Sequence, residues 1–291
     1  METIELKALA KINLGLDVLG LRLDGYHTVR MIMQSIYLYD EVKITKSVVP
    51  SVVVQTNLPY LPNNEKNIAY KAAALLRDRF QISEGVRITI EKRIPVSAGL
   101  GGGSANAAAV LFGMNRLFDL RLSTEKLMKL GIVLGADVPY CIVRGTVLAE
   151  GIGEVLIPLP SLPKSIVLVV TPPVRVSTAK IYKALDAKNI TKHPDIDGLI
   201  EALGRGDLTG VAANMGNVLE QVTIPLHPEI ATIKQELLAA GALGALMSGS
   251  GPTVFGIFAV RDLADKAKEI IYRKSLAKQV YIVKSHTVRR G

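Results

Sequence analysis

The chain has 291 residues, of which 49% are hydrophobic and 21% are charged, so its apolar content suffices for one large or two modest cores. Its apolar runs are far shorter than the roughly 20 residues of a membrane span, and no export signal is recognisable at its start. The single cysteine, Cys141, excludes an internal disulfide, and the four histidines lack zinc-site spacing. We therefore predict a globular protein of the reducing cytoplasm with no membrane partner.

The formal net charge of +9 raises the alternative of a protein that binds nucleic acid or an anionic surface. The basic residues are scattered, however, and tryptophan is absent, so few side chains could stack on bases. We expect no nucleic-acid partner. A late cluster follows the helical spacing of a solvated helix face and consists of Lys266, Lys268, Arg273, Lys274 and Lys278.

An opening strand is predicted because apolar residues alternate with others from Ile4 to Ile12. A period of two places Lys11 and Asn13 on the same face. The two side chains either present a cation and an amide to one ligand or form the exposed polar face of an edge strand. Spacing alone favours the exposed face.

A turn at Asp24-Gly25 follows, and Tyr26 and His27 come directly after it. These two side chains either stack on and hydrogen-bond to a planar heterocycle or pack beneath the hairpin. Further strands are predicted over residues 31–39, 41–45 and 52–55.

Residues 57–67 are rich in asparagine and proline and are predicted to form a loop. A helix is predicted from Ile68 to Phe80, where apolar residues recur at helical spacing. Asn67 precedes this helix and could cap it.

The most informative stretch follows a predicted strand over residues 86–90 and reads Pro95-Val-Ser-Ala-Gly-Leu-Gly-Gly-Gly-Ser-Ala. Its four glycines allow positive φ and close approach of a ligand to backbone N–H groups. Ser104 could cap a helix from Ala105, whose N-terminus would attract phosphate. We interpret the stretch as a phosphate cradle; a ligand-free turn is the alternative.

Two common phosphate-binding motifs are excluded by the spacing of this stretch. No lysine precedes Ser104, as the Walker A motif requires. Asp119 comes too early for the acidic residue of a Rossmann fingerprint.

A helix from about Ser123 to Gly135 leads to Asp137 in Gly135-Ala-Asp-Val-Pro-Tyr. Fixed between Gly135 and Pro139, Asp137 suits a general base but also an Asx-turn, which sequence alone favours. A strand over residues 147–156 closes this half of the chain.

Three prolines within residues 157–165 predict a domain boundary, which divides the chain into residues 1–158 and 159–291. The second part begins with a strand at 165–170 and a helix after Ser177 that contains Tyr182. A hairpin around Ser248-Gly-Ser-Gly, then a helix and a last strand, predict a split βαβ, ferredoxin-like domain. The remaining predicted elements are helices over 198–203, 207–220, 228–240 and 263–271 and a strand over 280–283.

The stretch from Pro95 to Ala105 resembles the central motif of the superfamily of galactokinase, homoserine kinase, mevalonate kinase and phosphomevalonate kinase. The triple glycine, Ala10-Lys-Ile-Asn-Leu, Asp24-Gly-Tyr-His and Gly135-Ala-Asp-Val-Pro resemble one branch of it. Members of that branch use ATP to phosphorylate a cytidine-diphosphate-linked sugar alcohol in non-mevalonate isoprenoid precursor synthesis. The resemblance extends over nearly the whole chain, in order.

This resemblance implies an α+β fold of two domains with the active site in the cleft between them. The N-terminal half would be like ribosomal protein S5, bind ATP and carry the catalytic groups. The C-terminal half would be ferredoxin-like and bind the substrate. A monomer or weak homodimer is expected, with ATP and the small-molecule cytidine diphosphate substrate as its ligands.

The resemblance also implies roles for individual residues. Asp137 would be the base in a direct phosphoryl transfer, and Lys11 would hold it ionised. Asn13, Tyr26, His27 and Tyr182 would contact the substrate. Mg²⁺ would accompany ATP, with Ser104 as a candidate ligand. The implied ATP-binding residues are Asn67, Pro95, Val96, Ser97, Ala98, Gly99, Leu100, Gly101, Gly102, Gly103 and Ser104.

Two alternative functions remain open at this point. The first is another small-molecule kinase of the superfamily, such as a homoserine or mevalonate kinase. The second is a non-catalytic binding protein on a kinase scaffold, which would bind nucleic acid in a salt-dependent way without ATP turnover.

Overall fold

The computed structural model describes residues 2–187, 190 and 192–288. Helices and strands are intermixed along the chain, which confirms the predicted α+β class. In this described part, no helix combines the length and the apolar character needed to cross a membrane. The strands are β1 (Thr3–Leu21), β2 (His27–Ser47), β3 (Val52–Thr56), β4 (Gly85–Glu91), β5 (Thr146–Glu150), β6 (Val155–Pro158), β7 (Ile166–Thr171), β8 (Gly216–Asn217), β9 (Gly244–Met247), β10 (Val254–Phe258) and β11 (Gln279–Lys284).

The helices are α1 (Ile68–Phe80), α2 (Gly102–Leu117), α3 (Thr124–Leu134), α4 (Val138–Val143), α5 (Thr178–Ala184), α6 (Ile196–Arg205), α7 (Leu208–Asn214), α8 (Glu220–Leu226), α9 (Glu229–Ala239) and α10 (Arg261–Arg273). The predicted start of α3 is confirmed, since Ser123 Oγ accepts a hydrogen bond from Lys126 N at 3.3 Å. Such a cap satisfies a backbone donor that the helix itself cannot use.

Contacts between residues divide the chain into two compact units that interleave along the sequence. The first unit contains the chain up to residue 10 together with 38–96 and 101–143. The second contains 11–37, 97–100 and the chain from residue 144. Both β1 and β2 therefore contribute residues to each unit. The boundary between residues 158 and 159 stays a prediction.

In the first unit, helices pack on a sheet in which β4 lies between β3 and β2. β4 pairs with β2 in antiparallel and with β3 in parallel orientation. Helix α2 is buried from Ala105 to Leu111, because its small alanine side chains allow close packing. A Cβ atom at Gly113 would lie 2.5 Å from Ile44 Cδ1, so a larger residue would have to displace the Ile44 side chain. Helix α2 is thereby held firmly on the sheet.

The second unit contains a four-stranded antiparallel sheet with the order β11-β7-β10-β9. In chain order, β7 is followed by helices, then the β9–β10 hairpin, α10 and β11. This is the split βαβ arrangement of a ferredoxin-like fold, as predicted. The short strand β8 pairs in parallel with β1 elsewhere in the unit, through Leu16 and Asn217.

The segment over residues 207–220 was wrongly predicted as a single helix. It consists of α7, the two-residue strand β8 and the beginning of α8. Gly216 explains the interruption in part, because glycine disfavours a helix interior. A Cβ atom at Gly216 would also lie 2.7 Å from Pro194 Cβ, so the chain at this point is packed closely against another segment.

Two strand predictions also need correction. The strands predicted over residues 31–39 and 41–45 are continuous in β2. The strand predicted over residues 147–156 is instead the antiparallel pair β5 and β6. The positive φ angles of Gly151 and Gly153, 73° and 110°, allow the turn between them.

Candidate active site

The glycine-rich loop that leads into α2 has three residues in left-handed backbone conformation. Ser97, Gly99 and Gly101 have φ angles of 53°, 76° and 67°. The two glycines adopt this conformation freely, whereas it costs a residue with a Cβ atom about 1–2 kcal/mol. The strain at Ser97 must therefore be offset by contacts elsewhere in the fold.

Helix α2 begins at Gly102, three residues earlier than predicted, and Gly101 is its N-cap. Ser104 is consequently the third residue of the helix and does not cap it, contrary to prediction. Because Gly101 adopts the left-handed conformation, the helix begins directly after it, and Gly102 and Gly103 belong to its first turn. The first helical hydrogen bond joins Ala105 N to Gly101 O at 2.9 Å. The N–H groups of the preceding turn therefore have no acceptor within the helix and can face an anion.

The preceding segment, residues 97–100, is held by two other parts of the second unit. Lys11 N in β1 donates to Leu100 O at 3.0 Å. Ser248 Oγ, in the loop after β9, donates to Gly99 O at 2.9 Å. A Cβ atom at Gly99 would lie 2.1 Å from Ser248 O, so no larger residue fits. The loop around Ser248 therefore packs beside residues 97–100 of the glycine-rich loop.

Lys11 and Asn13 are both buried, with 5% and 0% of their surface exposed. The prediction from spacing alone, that Lys11 and Asn13 form an exposed polar face, is therefore wrong. Lys11 Nζ donates to Asn13 Oδ1 at 2.7 Å, and Asn13 Nδ2 contacts Met31 Sδ at 3.4 Å. A Cβ atom at Gly249 would lie 3.4 Å from Lys11 Nζ, so the Ser248–Gly251 loop approaches this pair directly. The second unit thus brings together a buried cation, an amide, the Ser248–Gly251 loop and residues 97–100 of the glycine-rich loop.

Asn217 is a residue that sequence reasoning missed. Its Nδ2 donates to Met247 O and to Gly249 O, both at 2.8 Å, and its Oδ1 accepts from Leu219 N at 3.0 Å. The side chain thereby fixes the loop that approaches Lys11. Strand β8 has only two residues, which are too few to show the alternation that predicts a strand. The sequence therefore indicated this position only through an asparagine that follows a glycine.

The aromatic residues predicted to contact the substrate lie in the second unit. The rings of His27 and Tyr182 are in contact, with centroids 5.3 Å apart and planes at 47°. Tyr26 is 58% exposed, beside the predicted turn between β1 and β2. The chain therefore brings His27 and Tyr182 together although about 150 residues separate them in the sequence.

Asp137 lies in the first unit, directly before α4. Its carbonyl oxygen accepts from Cys141 N at 3.1 Å and so begins the turn of α4, while the residue is half-buried. Pro139 suits this position, since proline is favoured in the first turn of a helix. The role of Asp137 as a base stays a prediction.

Asn67 also lies in the first unit, where its side chain caps α1. Its Oδ1 accepts from Ala69 N at 2.9 Å, and its Nδ2 donates to Pro62 O at 2.8 Å. The capping interpretation is confirmed, and a contact of Asn67 with the nucleotide stays a prediction. Of the two residues that open the glycine-rich loop, Pro95 is buried and Val96 is 37% exposed.

No group of three or more His, Cys, Asp or Glu side chains in the described residues is placed to hold a metal ion. The protein alone therefore offers few ligands to a divalent cation in this part of the chain. Magnesium is commonly held by one or two protein groups together with substrate phosphates.

Comparison with protein families gives two matches. Residues 67–145 match the GHMP kinases N terminal domain, and residues 199–278 match the GHMP kinases C terminal family. The first match includes the glycine-rich loop from Pro95 and also Asp137. The second includes Asn217 and the Ser248–Gly251 loop.

Solved structures with the same fold include kinases of different specificity. A 4-(cytidine 5'-diphospho)-2C-methyl-D-erythritol kinase superposes with a TM-score of 0.82 at 34% identity, covering 98% of this chain and 100% of that one. A homoserine kinase from Cytophaga hutchinsonii gives a TM-score of 0.81 at 22% identity, over 99% and 95% of the two chains. At that identity the second likeness indicates the fold alone.

Relatives with much higher identity share one name. The 4-diphosphocytidyl-2-C-methyl-D-erythritol kinase of Lachnoclostridium phytofermentans is 57% identical over 92% of both chains. The kinase of the same name from Lachnospira eligens is 50% identical over 99% of this chain and 100% of its own. The chain therefore belongs to the 4-diphosphocytidyl-2-C-methyl-D-erythritol kinase family of the GHMP kinases.

Proposed function

We propose that the protein transfers the γ-phosphoryl group of ATP to the 2-hydroxyl of 4-diphosphocytidyl-2-C-methyl-D-erythritol, in non-mevalonate isoprenoid precursor synthesis. The observation that carries the proposal is the buried Lys11–Asn13 pair, with Gly249 packed beside it and Leu100 of the glycine-rich loop bonded to Lys11 N. A buried cation beside a phosphate-binding loop suits a reaction in which negative charge moves between oxygen atoms. Identity of 57% and 50% to kinases named for this substrate supports the same conclusion.

ATP is proposed to lie with its phosphates on the loop from Gly99 to Ser104. Backbone N–H groups at the beginning of α2 and the positive end of the helix dipole would stabilise them. Gly103 fits this role, because the nearest atom to a Cβ atom there is Ile68 Cγ2 at 3.6 Å, which leaves its outer side open. Asn67, Pro95 and Val96 are proposed to lie near the nucleotide.

Asp137 is proposed to accept the proton of the attacking hydroxyl, so that phosphoryl transfer is direct and needs no covalent enzyme intermediate. Lys11 is proposed to hold Asp137 ionised and to offset the charge on the transferring group. Burial of Lys11 strengthens both effects, because the effective dielectric constant is lower inside a protein than in water.

The cytidine end of the substrate is proposed to bind at His27 and Tyr182. The contact between their rings supports this assignment, since one residue could hydrogen-bond to the base edge while the other stacks on its face. Tyr26, which is exposed and precedes His27 in the sequence, would supply a second stacking surface. Asn13 is proposed to contact the substrate near the phosphoryl-transfer site.

Mg²⁺, when bound, would neutralise the β- and γ-phosphate oxygens of ATP. The sequence does not assign its protein ligands; Ser104, in the first turn of α2, is one candidate, and phosphate oxygens would supply further ligands. We further propose that the reaction takes place in the cytoplasm and that the protein is a monomer or weak homodimer.

The proposal is tested by ADP release from Mg-ATP with 4-diphosphocytidyl-2-C-methyl-D-erythritol, with mevalonate and homoserine as parallel substrates. We expect turnover with the cytidyl substrate only. Turnover with one of the other substrates instead would retain the kinase chemistry and overturn the cytosine site. Absence of ADP release with every substrate, together with salt-dependent binding of nucleic acid, would favour a non-catalytic binding protein.

A further inference from the structure

Asp40 in β2 is fully buried, and its carboxylate accepts four hydrogen bonds. Oδ1 accepts from Arg93 N at 2.7 Å and from Ile94 N at 2.8 Å. Oδ2 accepts from Asn106 Nδ2 at 2.8 Å and from the Lys92 ammonium. The carboxylate therefore joins the segment that precedes the glycine-rich loop to the helix that follows it.

Lys92 provides a second link between the same two segments. Its side chain is only 5% exposed, and its Nζ also donates to Asn106 Oδ1 at 3.0 Å. A Cβ atom at Gly102 would lie 3.3 Å from Lys92 Nζ and 3.0 Å from Ile94 Cγ2. The ammonium thus lies against the first residue of α2, and a larger residue at position 102 would press on both Lys92 and Ile94.

Stability alone is a weak explanation for this buried ion pair. Charged groups lose hydration when they are buried, and apolar side chains of similar volume often stabilise a protein equally well or better. An ion pair whose charged atoms each have hydrogen-bond partners, as in Asp40 and Lys92, does however fix geometry tightly. Here the geometry that it fixes is that of the first turn of α2.

We propose that Asp40, Lys92 and Asn106 form a brace that positions the first turn of α2 for the phosphates of the nucleotide. These three are positioning residues, because they act through the backbone of Gly102 to Ser104. The proposal rests on the proposed function, since it assumes that this turn binds ATP. Displacement of binding groups by about 1 Å can lower activity by about 10²-fold, so a loosened brace should affect nucleotide affinity measurably.

Three variants test the brace, because each breaks it with a different change of charge. Asp40→Asn removes one negative charge, Lys92→Met removes one positive charge, and Asn106→Ala leaves the charge unchanged. We expect all three to raise the Kd of a non-hydrolysable ATP analogue, by about 10-fold to 10²-fold, measured by calorimetry. The KM for the second substrate should change much less than the KM for ATP. Lys43→Met is the matched control, because it removes an exposed cation of the same unit, paired with Glu5 at 2.9 Å.

Other outcomes would overturn the proposal. If Asp40→Asn tightened analogue binding while Lys92→Met weakened it, these residues would act through charge and not through position. An unchanged Kd in variants with a lowered urea midpoint would assign them a purely structural role. Because Asn106→Ala retains the ion pair between Asp40 and Lys92, its Kd for the ATP analogue tests the proposal even if the other two variants fail to fold. Analogue binding by the wild type separates failure of the brace from failure of the proposed function, since a wild type that binds no nucleotide overturns both.

Discussion

Among single residues, Asp137 has the most specific chemical role in the proposed mechanism. Asp137→Asn retains the size of the side chain but removes its ability to accept a proton at neutral pH. We expect kcat to fall by about 10²-fold to 10⁴-fold, the usual contribution of general base catalysis, with a smaller change in nucleotide Kd. Steady-state ADP release and calorimetry measure the two quantities separately.

Asp78→Asn is the control for this prediction, because Asp78 is an exposed carboxylate on α1 of the same unit. It should have the turnover of the wild type. If Asp137→Asn retained most of its turnover, Asp137 would not be the base, and its position before α4 would be only a structural turn.

Lys11 and Asn13 show where local sequence patterns fail at this scale. The alternation of apolar and polar residues correctly predicted strand β1. It does not imply an exposed polar face, because residues 8–18 of β1 are all buried. Both faces of the strand are covered by chain that is distant in sequence. Only the resemblance to a kinase family indicated that a lysine here belongs to a site.

Among the elements, the loop from Ser248 to Gly251 depends on Asn217 for its position. Asn217→Ala would remove the donor for Met247 O and Gly249 O and so loosen the loop beside Lys11 and Gly99. We expect a loss of about 1–3 kcal/mol in the free energy of unfolding, the cost of leaving buried polar groups unpaired. Because the loop approaches Lys11, kcat should also fall; urea unfolding and ADP release are the measurements.

Asn214→Ala provides a matched control, since Asn214 lies three positions earlier and its Nδ2 donates to Gly210 O within α7. Its kcat should equal that of the wild type. Loss of stability without loss of kcat in Asn217→Ala would limit Asn217 to a role in folding.

Elements with strong local signals were predictable, and those defined by distant partners were not. Helices α1 and α3 have both helical spacing and a capping side chain, so their starts at Ile68 and Thr124 follow from the sequence. The start of α2 was misplaced because glycine usually ends helices, whereas Gly101 in left-handed conformation begins one here. Strand β8 exists only because it pairs with β1.

At the scale of the whole molecule, the two compact units could not be predicted from the order of elements. Strands β1 and β2 each contribute residues to both units, because both are unusually long, with 19 and 21 residues. Prolines at residues 157–165 marked a plausible boundary in the sequence, but they carry no information about contacts made by the first two strands. Long-range pairing determines the units.

The C-terminal segment contributes to the stability of the second unit through β2. His286 N donates to Ser35 O at 2.8 Å, and Gln34 Nε2 donates to His286 O at 3.0 Å. The His286 ring packs edge-on against Tyr37, and its Nδ1 is buried without a hydrogen-bond partner in the described part of the chain. Burial, and secondarily the charge of Arg144, lower the pKa of His286 below its ordinary value of 6.5.

The protein should therefore lose stability as the pH falls below 6.5, the ordinary pKa of His286. Below pH 6.5 the His286 ring binds a proton in the unfolded chain but not in the folded chain. Neutral His286 therefore makes its full contribution to the free energy of unfolding above pH 6.5, and this contribution is lost as the pH falls below that value. One proton changes the free energy of unfolding by at most about 1.4 kcal/mol per pH unit. Urea unfolding of the wild type and of His286→Gln, from about pH 8 to about pH 5, measures the difference. We expect the free energy of unfolding to decline less with falling pH in His286→Gln than in the wild type. Arg144→Met should show an intermediate decline, because burial is the larger cause of the lowered pKa and remains in that variant. Identical slopes in all three proteins would show that His286 binds a proton equally well in the folded and the unfolded chain.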